Sequence, residues 1–452
     1  MAMTYLPHTE ADRTAMLRAI GVATPEELFD DVPAALRCPD LDLPPPCSEM
    51  ELAREMRDLA GRNDIPEPGY CFLGAGAYHH YCPATVDYVL QRGEFYSSYT
   101  PYQPEISQGM LQAMFEYQSM ICRLTGMEVS NASHYDGATA LAEGVLLALN
   151  ASKRSRTRVI VSPGVHPQYR NVVRTYLSGT DAEIIGDEAP QADIEALTAR
   201  LDDQTAALVV QYPDFFGQFA PLDGLADTVH AAGALLIVVT DPIALGLFRP
   251  PGAYGADIVV AEGQSLGSPP SFGGPHLGVF ATRRAHVRNL AGRLVGETVD
   301  PEGRRGYVLT LATREQHIRR ARATSNICTN AALVALAATV YLATLGKSGL
   351  KRVAELCYHN SHYAAARIAE LPGLSVNPQA PQRPFFQEFV VALPRPVAEV
   401  NRALRDGYGI TGGYDLGRDY PHLQHHMLLA VTEMNPRPAI DRLVDGLRHA
   451  NA

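Results

Sequence analysis

Lysine is almost missing from this sequence. The 452 residues include 38 lysines and arginines together, and the lysines among them are Lys153, Lys347 and Lys351. No lysine lies between residues 153 and 347. A reaction that needs a primary amine as nucleophile therefore has almost no candidate in this chain, because the other nitrogen-bearing side chains do not replace a lysine amine in that role.

Positive charge and long apolar runs are also lacking. The 49 acidic residues outnumber the 38 basic ones, which gives a formal net charge of −11. This balance argues against a surface that binds nucleic acid or anionic membranes. No uninterrupted apolar run approaches the length of a membrane span, and the first residues lack the pattern of a signal peptide. We therefore expect a soluble, cytoplasmic protein.

Cysteine and histidine occur without the spacing of metal ligands. The seven cysteines are scattered, include no CxxC pair and are odd in number, so reduced thiols are expected and a zinc site is not. His79 and His80 lack a spaced carboxylate or third histidine, and we interpret them as loop and surface residues. His422, His425 and His426 lack further ligands at metal spacing. The sequence therefore predicts no metal site.

Length and composition favour a globular protein with more than one lobe. Hydrophobic residues make up 46% of the chain and charged residues 19%, which is ordinary for a folded protein of this size. Residues 1–60 show broken helical patterns, and we expect them to form an arm. Residues 61–325 should form a large α/β domain, and residues 326–452 a linking helix followed by a smaller α/β domain.

Short apolar runs alternate with helical patterns from about residue 126 onward, an order typical of a sheet with crossover helices. The runs that we predict as strands of this sheet are residues 158–162, 207–211, 235–239, 257–261 and 277–280. Their continuous β-branched character fits a mainly parallel sheet that is buried on both faces. Ligands bind at the carboxyl ends of the strands in such sheets, so the residues there are the candidates for chemistry.

Three features near these strand ends have open interpretations. Gly137 and Ala138 open a helix after a turn of small residues, which suits a phosphate-binding helix end and a plain capped helix equally. His166 follows the first predicted strand and can stack on a flat heteroaromatic ring, although a hydrogen-bonded loop histidine is the commoner case. Asp241 ends the third predicted strand and can pair with a pyridinium nitrogen, but Asp before Pro is also a standard N-cap.

A tyrosine- and proline-rich stretch, residues 97–109, is here called the tyrosine segment. Pro101 and Pro104 disfavour helical dihedrals at the residues before them, so residues 100–103 should be extended and stiff. Pro104 and Glu105 suit the first turn of a helix, and apolar residues from Ile106 to Leu124 recur at three- and four-residue steps. Such a segment suits an interface with another chain or a ligand, and a structural proline turn is the alternative.

Four motifs carry a resemblance to a known family. They are residues 97–109, 249–255, 313–320 and 324–329, and the similarity extends over nearly the whole chain. The pattern resembles the P-protein of the glycine cleavage system, glycine dehydrogenase (decarboxylating), a pyridoxal phosphate (PLP) enzyme. More narrowly, it resembles the N-terminal-half (alpha) subunit of the split, two-subunit form of that enzyme.

The resemblance implies a PLP-dependent transferase fold of type I, with a mainly parallel seven-stranded sheet between helices. It implies a vestigial cofactor pocket, in which Gly137 and Ala138 form the phosphate turn, His166 stacks on the ring and Asp241 pairs with the pyridine. The position of the Schiff-base lysine falls on Gln264. Because an amide cannot form the covalent link to PLP, the resemblance implies no catalytic residue on this chain.

The family decarboxylates glycine through PLP and transfers the aminomethyl group to the lipoyl group of H-protein. The resemblance implies that a C-terminal-half (beta) subunit holds PLP in a heterotetramer, with a functional link to T- and L-proteins. This chain would then support the structure and the entrance of the active site. The candidates for the entrance and for partner contact are Tyr99, Thr100, Tyr102, Glu105, Gln108, Arg314, His317 and Arg319.

Two other functions stay open at this point. A stand-alone PLP-dependent decarboxylase or transaminase would need an amine near the strand ends, which the sequence does not offer. A non-catalytic interaction or regulatory scaffold would use its surface only to bind other proteins and would take no part in chemistry.

Overall fold

The computed structural model describes residues 7–37, 42–153, 155–188, 193–327 and 331–451. The chain divides into two compact units, Met1–Ile65 and Pro66–Ala452. A further division near residue 325 stays a prediction.

The described part of the first unit contains two α-helices, α1 (Glu10–Ile20) and α2 (Glu49–Ala60). Thr9 and Ser48 cap them, because each side chain accepts a hydrogen bond from the third helical amide. Both helices lie within residues 1–60, where the sequence shows broken helical patterns. Neither contains a buried residue, so local caps rather than a core hold these helices.

The second unit combines helices with two main sheets. Its described α-helices are α3 (Ala84–Leu90), α4 (Gly93–Tyr96), α5 (Gln108–Thr125), α6 (Gly137–Ala151), α7 (Pro167–Leu177), α8 (Ile194–Thr198), α9 (Leu225–Ala231), α10 (Gln316–Arg319), α11 (Ala332–Ala369), α12 (Val397–Tyr408) and α13 (Arg437–Ala450). The linking helix expected at the start of residues 326–452 corresponds to α11, which has a break in its dihedrals at Gly346.

A mainly parallel sheet forms the centre of this unit. Within the described residues it has seven strands, β1 (Val129–Ser130), β2 (Arg158–Val161), β3 (Glu183–Ile185), β4 (Thr205–Tyr212), β5 (Leu235–Thr240), β6 (Ile258–Glu262) and β7 (Gly278–Thr282). Their spatial order is β1-β7-β6-β5-β4-β2-β3. Strand β7 is antiparallel to both its neighbours, and the other pairs are parallel. The predicted strands and the predicted sheet are confirmed.

Alternate residues of the central strands face two separate apolar cores. In β4, Leu208 and Val210 belong to one core, whereas Ala207 and Val209 belong to the other. Helix α6 packs on the second face, and part of α11 on the first. The strands are buried on both sides because helices cover both faces, as the uninterrupted apolar runs predict.

Two smaller sheets complete the unit. A four-stranded antiparallel sheet has the order β10-β11-β13-β12 and contains β10 (Ser375–Val376), β11 (Glu388–Ala392), β12 (Tyr414–Asp415) and β13 (His426–Ala430). Strands β8 (Val295–Val299) and β9 (Arg305–Leu309) form a hairpin that the sequence did not reveal.

Helix α11 is the described helix that is long and apolar enough to cross a membrane, judged by length and composition alone. Its Ala337, Ala338 and Tyr341 are buried in the core of the seven-stranded sheet. Packing in the core accounts for part of its apolar character, and one such helix is weak evidence of a membrane span.

Candidate functional site

The carboxyl ends of the central strands enclose a small cavity of about 50 Å³, here called the strand-end pocket. Loops that follow β2, β4, β5 and β6 contribute to its walls. Its polar lining includes Tyr78, His166, Tyr169, Asp214, Asp241, Glu262, Gln264 and Glu388. The fold thus brings His166, Asp241 and Gln264 together, as the sequence predicted.

Gln264 is fully buried, and hydrogen bonds occupy both ends of its amide. Its Oε1 accepts from the backbone N–H of Tyr78 at 2.9 Å. Its Nε2 donates to the carbonyls of Tyr78 and Ser268, at 3.0 and 2.6 Å. A lysine ammonium could not make the same set of hydrogen bonds, because it donates hydrogen bonds but does not accept them. Gln264 is therefore a clamp between the loop after β6 and the chain near Tyr78.

Helix α6 begins as a capped helix, which is one of the two interpretations left open for Gly137 and Ala138. Asp136 is the N-cap, and its carboxylate accepts from the N–H of Thr139 at 2.7 Å. The N–H of Gly137 donates to Oε2 of Glu262 at 2.9 Å. Ala138 follows in a half-buried position. A carboxylate of the same chain thus lies where this helix end would attract an external anion.

Glu262 supplies that carboxylate from the last position of β6. Its Oε1 accepts from the amides of Gln264 and Leu277, at 2.9 and 3.2 Å. Burial raises the pKa of Glu262, and the amides together with the nearby His276 oppose part of the rise. Sequence reasoning missed Glu262, although its place directly after a predicted strand was an available signal.

His166 stacks on a phenol of its own chain. Its ring lies 4.8 Å from that of Tyr169, with 22° between the planes. Its Nδ1 accepts from the N–H of Gln168 at 3.1 Å, so Nε2 carries the proton and donates to the carbonyl of Ala75 at 2.8 Å. Burial lowers the pKa of His166 and favours the neutral ring. The side chain that was expected to stack on a cofactor therefore has an aromatic partner already.

Asp241 shows features of both roles left open by the sequence. Its Oδ1 accepts from the N–H of Ile243 at 2.8 Å, as a cap does, and the residue also lines the pocket. Burial raises the pKa of Asp241, and it raises the pKa values of Asp214 and Glu388 to about 7. The described lining contains no lysine or arginine. The pocket is therefore acidic and holds protons near neutral pH.

Tyr78 and Glu388 are polar wall residues that the sequence did not indicate. The hydroxyl of Tyr78 donates to Oε2 of Glu388 at 2.8 Å, and the N–H of Ala75 donates to Oε1 at 2.7 Å. The pair is 310 residues apart in the chain. No local pattern could have joined them, because their contact depends on the packing of β11 against the loop at residues 74–78.

A buried ion pair holds the tyrosine segment from beneath. Arg293 and Glu315 pair with side chains that are 2% and 4% exposed. Nη2 of Arg293 donates to the hydroxyl of Tyr102 at 3.0 Å, and the guanidinium carbon lies 5.2 Å from the centre of the Tyr102 ring. Tyr102 nevertheless remains 56% exposed. The ring is thus anchored by its hydroxyl while much of its surface stays open to solvent.

Gln108 fastens the same segment to the β8–β9 hairpin. Its Nε2 donates to the carbonyls of Tyr307 and Pro104, at 2.9 and 2.7 Å, and its Oε1 accepts from the N–H of Tyr307 at 2.9 Å. Two local expectations are corrected here. Pro104 begins a 3-10 turn, so α5 starts only at Gln108. Ile106, predicted to lie in the buried stripe, is 81% exposed because it belongs to that turn.

Arg314 does not present its charge to a partner. The residue is buried, and its guanidinium donates to the carbonyl of Leu290 and, at 2.7 Å, to that of Gly292. Burial lowers its pKa. The expectation of a partner-facing Arg314 is corrected, since backbone carbonyls of the same chain take up its donors.

The remaining entrance candidates lie at or near the surface. Nδ1 of His317 lies 3.9 Å from Oε2 of Glu315, so this partly exposed imidazole lies next to the buried Arg293–Glu315 pair. Their contact with another chain stays a prediction. They are Tyr99, Thr100, Glu105, His317 and Arg319.

His80 is buried, contrary to the expectation of a surface residue. Its side chain is 3% exposed, and its Nδ1 lies 2.8 Å from Oε2 of Glu433, to which the thiol of Cys357 also donates at 3.3 Å. In the described part of the chain, this is the group that brings three possible metal-ligating atoms within 4.8 Å of one another. Glu433 also accepts from the N–H of Tyr81 at 2.8 Å, so hydrogen bonding accounts for the arrangement.

The architecture defines the class of protein. A solved structure of Burkholderia pseudomallei K96243 sphingosine-1-phosphate lyase matches 92% of this chain and 93% of its own chain, with a TM-score of 0.65 and 18% identity. A crystal structure of glycine decarboxylase (P-protein) of the glycine cleavage system, in inhibitor-bound form, matches 99% of this chain and 100% of its own, with a TM-score of 0.90 and 47% identity. The fold is that of type I PLP-dependent enzymes.

Sequence comparison narrows this class to one family. Residues 3–447 match the family described as glycine cleavage system P-protein. The probable glycine dehydrogenase (decarboxylating) subunit 1 of Thermomicrobium roseum is 55% identical over 453 residues, covering 100% of both chains. The chain belongs to the glycine cleavage system P-protein family.

The strand-end pocket does not fit PLP. The cavity of about 50 Å³ is far smaller than ligand pockets, which start at roughly 300 Å³. The end of α6 is bonded to Glu262, His166 stacks on Tyr169, and the amide of Gln264 is not a nucleophile. No step of a PLP reaction is therefore assigned to this pocket.

Proposed function

We propose that this chain is the N-terminal-half subunit of a two-subunit P-protein. With a C-terminal-half (beta) subunit it decarboxylates glycine and transfers the aminomethyl group to the lipoyl group of H-protein. Family membership over residues 3–447 and the similarity to proteins named subunit 1 support this function. PLP supplies the electron sink for decarboxylation when it is bound, and we place it on the partner subunit.

The observation that carries this division of labour is the state of Gln264. It stands where the family resemblance places the Schiff-base lysine, and its amide is buried and bonded on both sides. No lysine lies between Lys153 and Lys347 to replace it. A partner must therefore supply the amine, because neither an amide nor a guanidinium forms the covalent link.

The surface around the tyrosine segment supports a partner contact. Isolated exposed apolar side chains are normal, but here several occur within a short stretch of chain, and tyrosine is enriched at interfaces. The buried Arg293–Glu315 pair fixes Tyr102 before any partner arrives, which lowers the entropy lost on binding. The large apolar and aromatic residues between 81 and 106 that are 56% to 81% exposed are Tyr81, Tyr88, Tyr96, Tyr99, Tyr102 and Ile106.

In this proposal the tyrosine segment, with His317 and Arg319, contacts the beta subunit at the entrance of its active site. Lipoylated H-protein is the second partner, and a functional link to T- and L-proteins follows through it. A cytoplasmic location and a heterotetramer belong to the same proposal.

Expression of the two chains separately and together tests the proposal. We expect them to co-purify, and we expect release of carbon dioxide from glycine, in the presence of lipoylated H-protein, only when both are present. Decarboxylation by this chain alone would contradict the division of labour. So would full activity of the beta subunit without this chain.

Variants of the tyrosine segment separate chemistry from assembly. We expect Tyr102→Ala and Glu105→Gln to lower glycine decarboxylation by about tenfold or more, since an entrance group acts on transition-state binding. Tyr176→Ala, which removes an exposed tyrosine of α7, is the matched control. Loss of co-purification along with activity would assign the segment to assembly. Unchanged activity and unchanged co-purification would remove both residues from the entrance.

A further inference from the structure

The first observation concerns space at the start of α6. The Gly137 amide donates to Glu262 at 2.9 Å, so the donor that would face an anion is in use. A single carbon added to Gly137 would lie 2.4 Å from the hydroxyl of Tyr169 and 2.8 Å from the amide nitrogen of Glu262. A phosphate group brought to this helix end would therefore have to displace the Glu262 carboxylate from the Gly137 amide and the Tyr169 hydroxyl from the space beside it.

The second observation concerns charge. The pocket lining includes the carboxyl groups of Asp214, Asp241, Glu262 and Glu388, and its described residues include no lysine or arginine. A phosphate monoester carries about 1.5 to 2 negative charges near neutral pH. The described lining therefore offers a phosphate no cation to pair with, and each carboxyl group that has lost its proton repels it.

The third observation concerns the position beside His166 where the flat ring of the cofactor would stack. The face of His166 is covered by Tyr169, at a centroid distance of 4.8 Å and an angle of 22°. Phe215 approaches the same imidazole edge-on, at 4.7 Å. A pyridine ring could stack on the face of His166 that Tyr169 covers only after Tyr169 had moved.

We infer that this chain closes its strand-end pocket against pyridoxal phosphate with its own side chains, Glu262 at the phosphate position and Tyr169 at the ring position. The missing lysine is then one of several barriers, and restoring the amine alone does not restore binding. This inference rests on the proposed function for the choice of ligand. Its consequence is that the complex carries one PLP for each beta subunit and none on this chain.

The test introduces a lysine at position 264 with and without the Glu262 side chain in place. Purified full-length wild type, Gln264→Lys and the double variant Gln264→Lys/Glu262→Ala are incubated with pyridoxal phosphate, treated with borohydride and analysed by peptide mass spectrometry. We expect no adduct at position 264 in the single variant above the wild-type background. The double variant should show adduct about tenfold above that background, because it removes the Glu262 carboxylate from the helix end and leaves the Tyr169 ring as the remaining side chain to displace.

The matched control is Gln264→Lys/Glu262→Gln, which removes the same charge but leaves an oxygen that accepts from Gly137. We expect it to behave like Gln264→Lys alone. Adduct in Gln264→Lys equal to that in the double variant would overturn the inference, as would equal adduct in the two double variants. Circular dichroism and co-purification with the beta subunit verify that each variant is folded.

A measurement without covalent chemistry covers the case in which a double variant does not fold. Wild type is titrated with pyridoxal phosphate and, separately, with inorganic phosphate, against chloride at equal ionic strength, while its melting temperature is followed. We expect no stabilisation by either. Stabilisation of the wild type by pyridoxal phosphate at micromolar concentration would overturn the inference by itself.

The two proposals fail in different ways. If wild type binds pyridoxal phosphate while the two-chain complex still needs both chains to decarboxylate glycine, the inference fails and the proposed function stands. If the complex is inactive on glycine while the pocket stays closed, the proposed function fails instead.

Discussion

The strand-end pocket and the tyrosine segment show opposite ways to use buried polar groups. In the pocket, the side chains of Gln264 and Glu262 bond to backbone groups of Tyr78 and Gly137 and leave a cavity of about 50 Å³. Under the tyrosine segment, Arg293 of the buried Arg293–Glu315 pair instead donates a hydrogen bond to Tyr102, which stays 56% exposed. The comparison teaches that this chain keeps a cofactor fold as scaffold and presents its functional candidates at the surface.

Among the changes considered, Arg293→Met should have the largest effect, because it removes the buried ion pair beneath the tyrosine segment. Removing one partner leaves the carboxylate of Glu315 buried without its cation, which typically costs about 3–5 kcal/mol of unfolding free energy. We expect a loss of that size in urea denaturation, together with greater mobility of Tyr102. Arg304→Met, which breaks exposed ion pairs in the β8–β9 loop, should change the stability by less than about 1 kcal/mol. Equal effects would mean that burial does not distinguish the pairs.

Gln264→Leu tests the clamp in the pocket and comes next in size. The variant keeps a similar length but leaves the N–H of Tyr78 and two carbonyls without their partner. Buried unsatisfied groups cost about 1–3 kcal/mol each, partly relieved by water, so we expect a loss of about 2–4 kcal/mol. The control is Gln382→Leu at an exposed position. A loss below about 0.5 kcal/mol would show that the amide does not hold the pocket closed.

The acidity of the pocket predicts a pH dependence of stability. Burial raises the pKa of Glu388 from 4.5 to about 7, so the folded state holds a proton that the unfolded state loses between these values. Stability from this group is complete below about pH 4.5 and decreases as the pH rises through about 7, by at most about 1.4 kcal/mol per pH unit.

Glu388→Gln should remove this contribution. As the pH rises from about 5 to about 8, the unfolding free energy of the wild type should decrease relative to that of the variant, because only the wild type carries this titrating group. Glu195→Gln at an exposed position is the control. A difference between wild type and Glu388→Gln that does not vary with pH would contradict a proton held by this group.

Tyr99→Ala should have the smallest effect on the chain itself. The residue is 73% exposed, so its loss should alter the unfolding free energy by less than about 0.5 kcal/mol. If the tyrosine segment contacts the beta subunit, the same change should weaken the affinity for that partner by about tenfold, as calorimetry would measure. Unaltered affinity in both Tyr99→Ala and Tyr102→Ala would limit the segment to a role within this chain.

The sequence anticipated the central sheet better than its edges. Strands β2, β4, β5, β6 and β7 were found because their buried apolar runs are continuous. Strands β1 and β3 were missed because they have two and three residues and lie at the sheet edges. The β8–β9 hairpin was missed for another reason, since β8 is largely exposed and carries no buried run.

The amino-acid sequence by itself determined the class of fold, the resemblance to the P-protein family and the scarcity of amines, because these follow from local patterns and from counting. Only the tertiary structure decided what surrounds Gln264 and Tyr102. The Tyr78–Glu388 contact and the Tyr102–Arg293–Glu315 anchor join residues far apart in the chain. Such contacts depend on how sheets and loops pack, and no periodicity in a linear chain encodes which buried donor meets which acceptor.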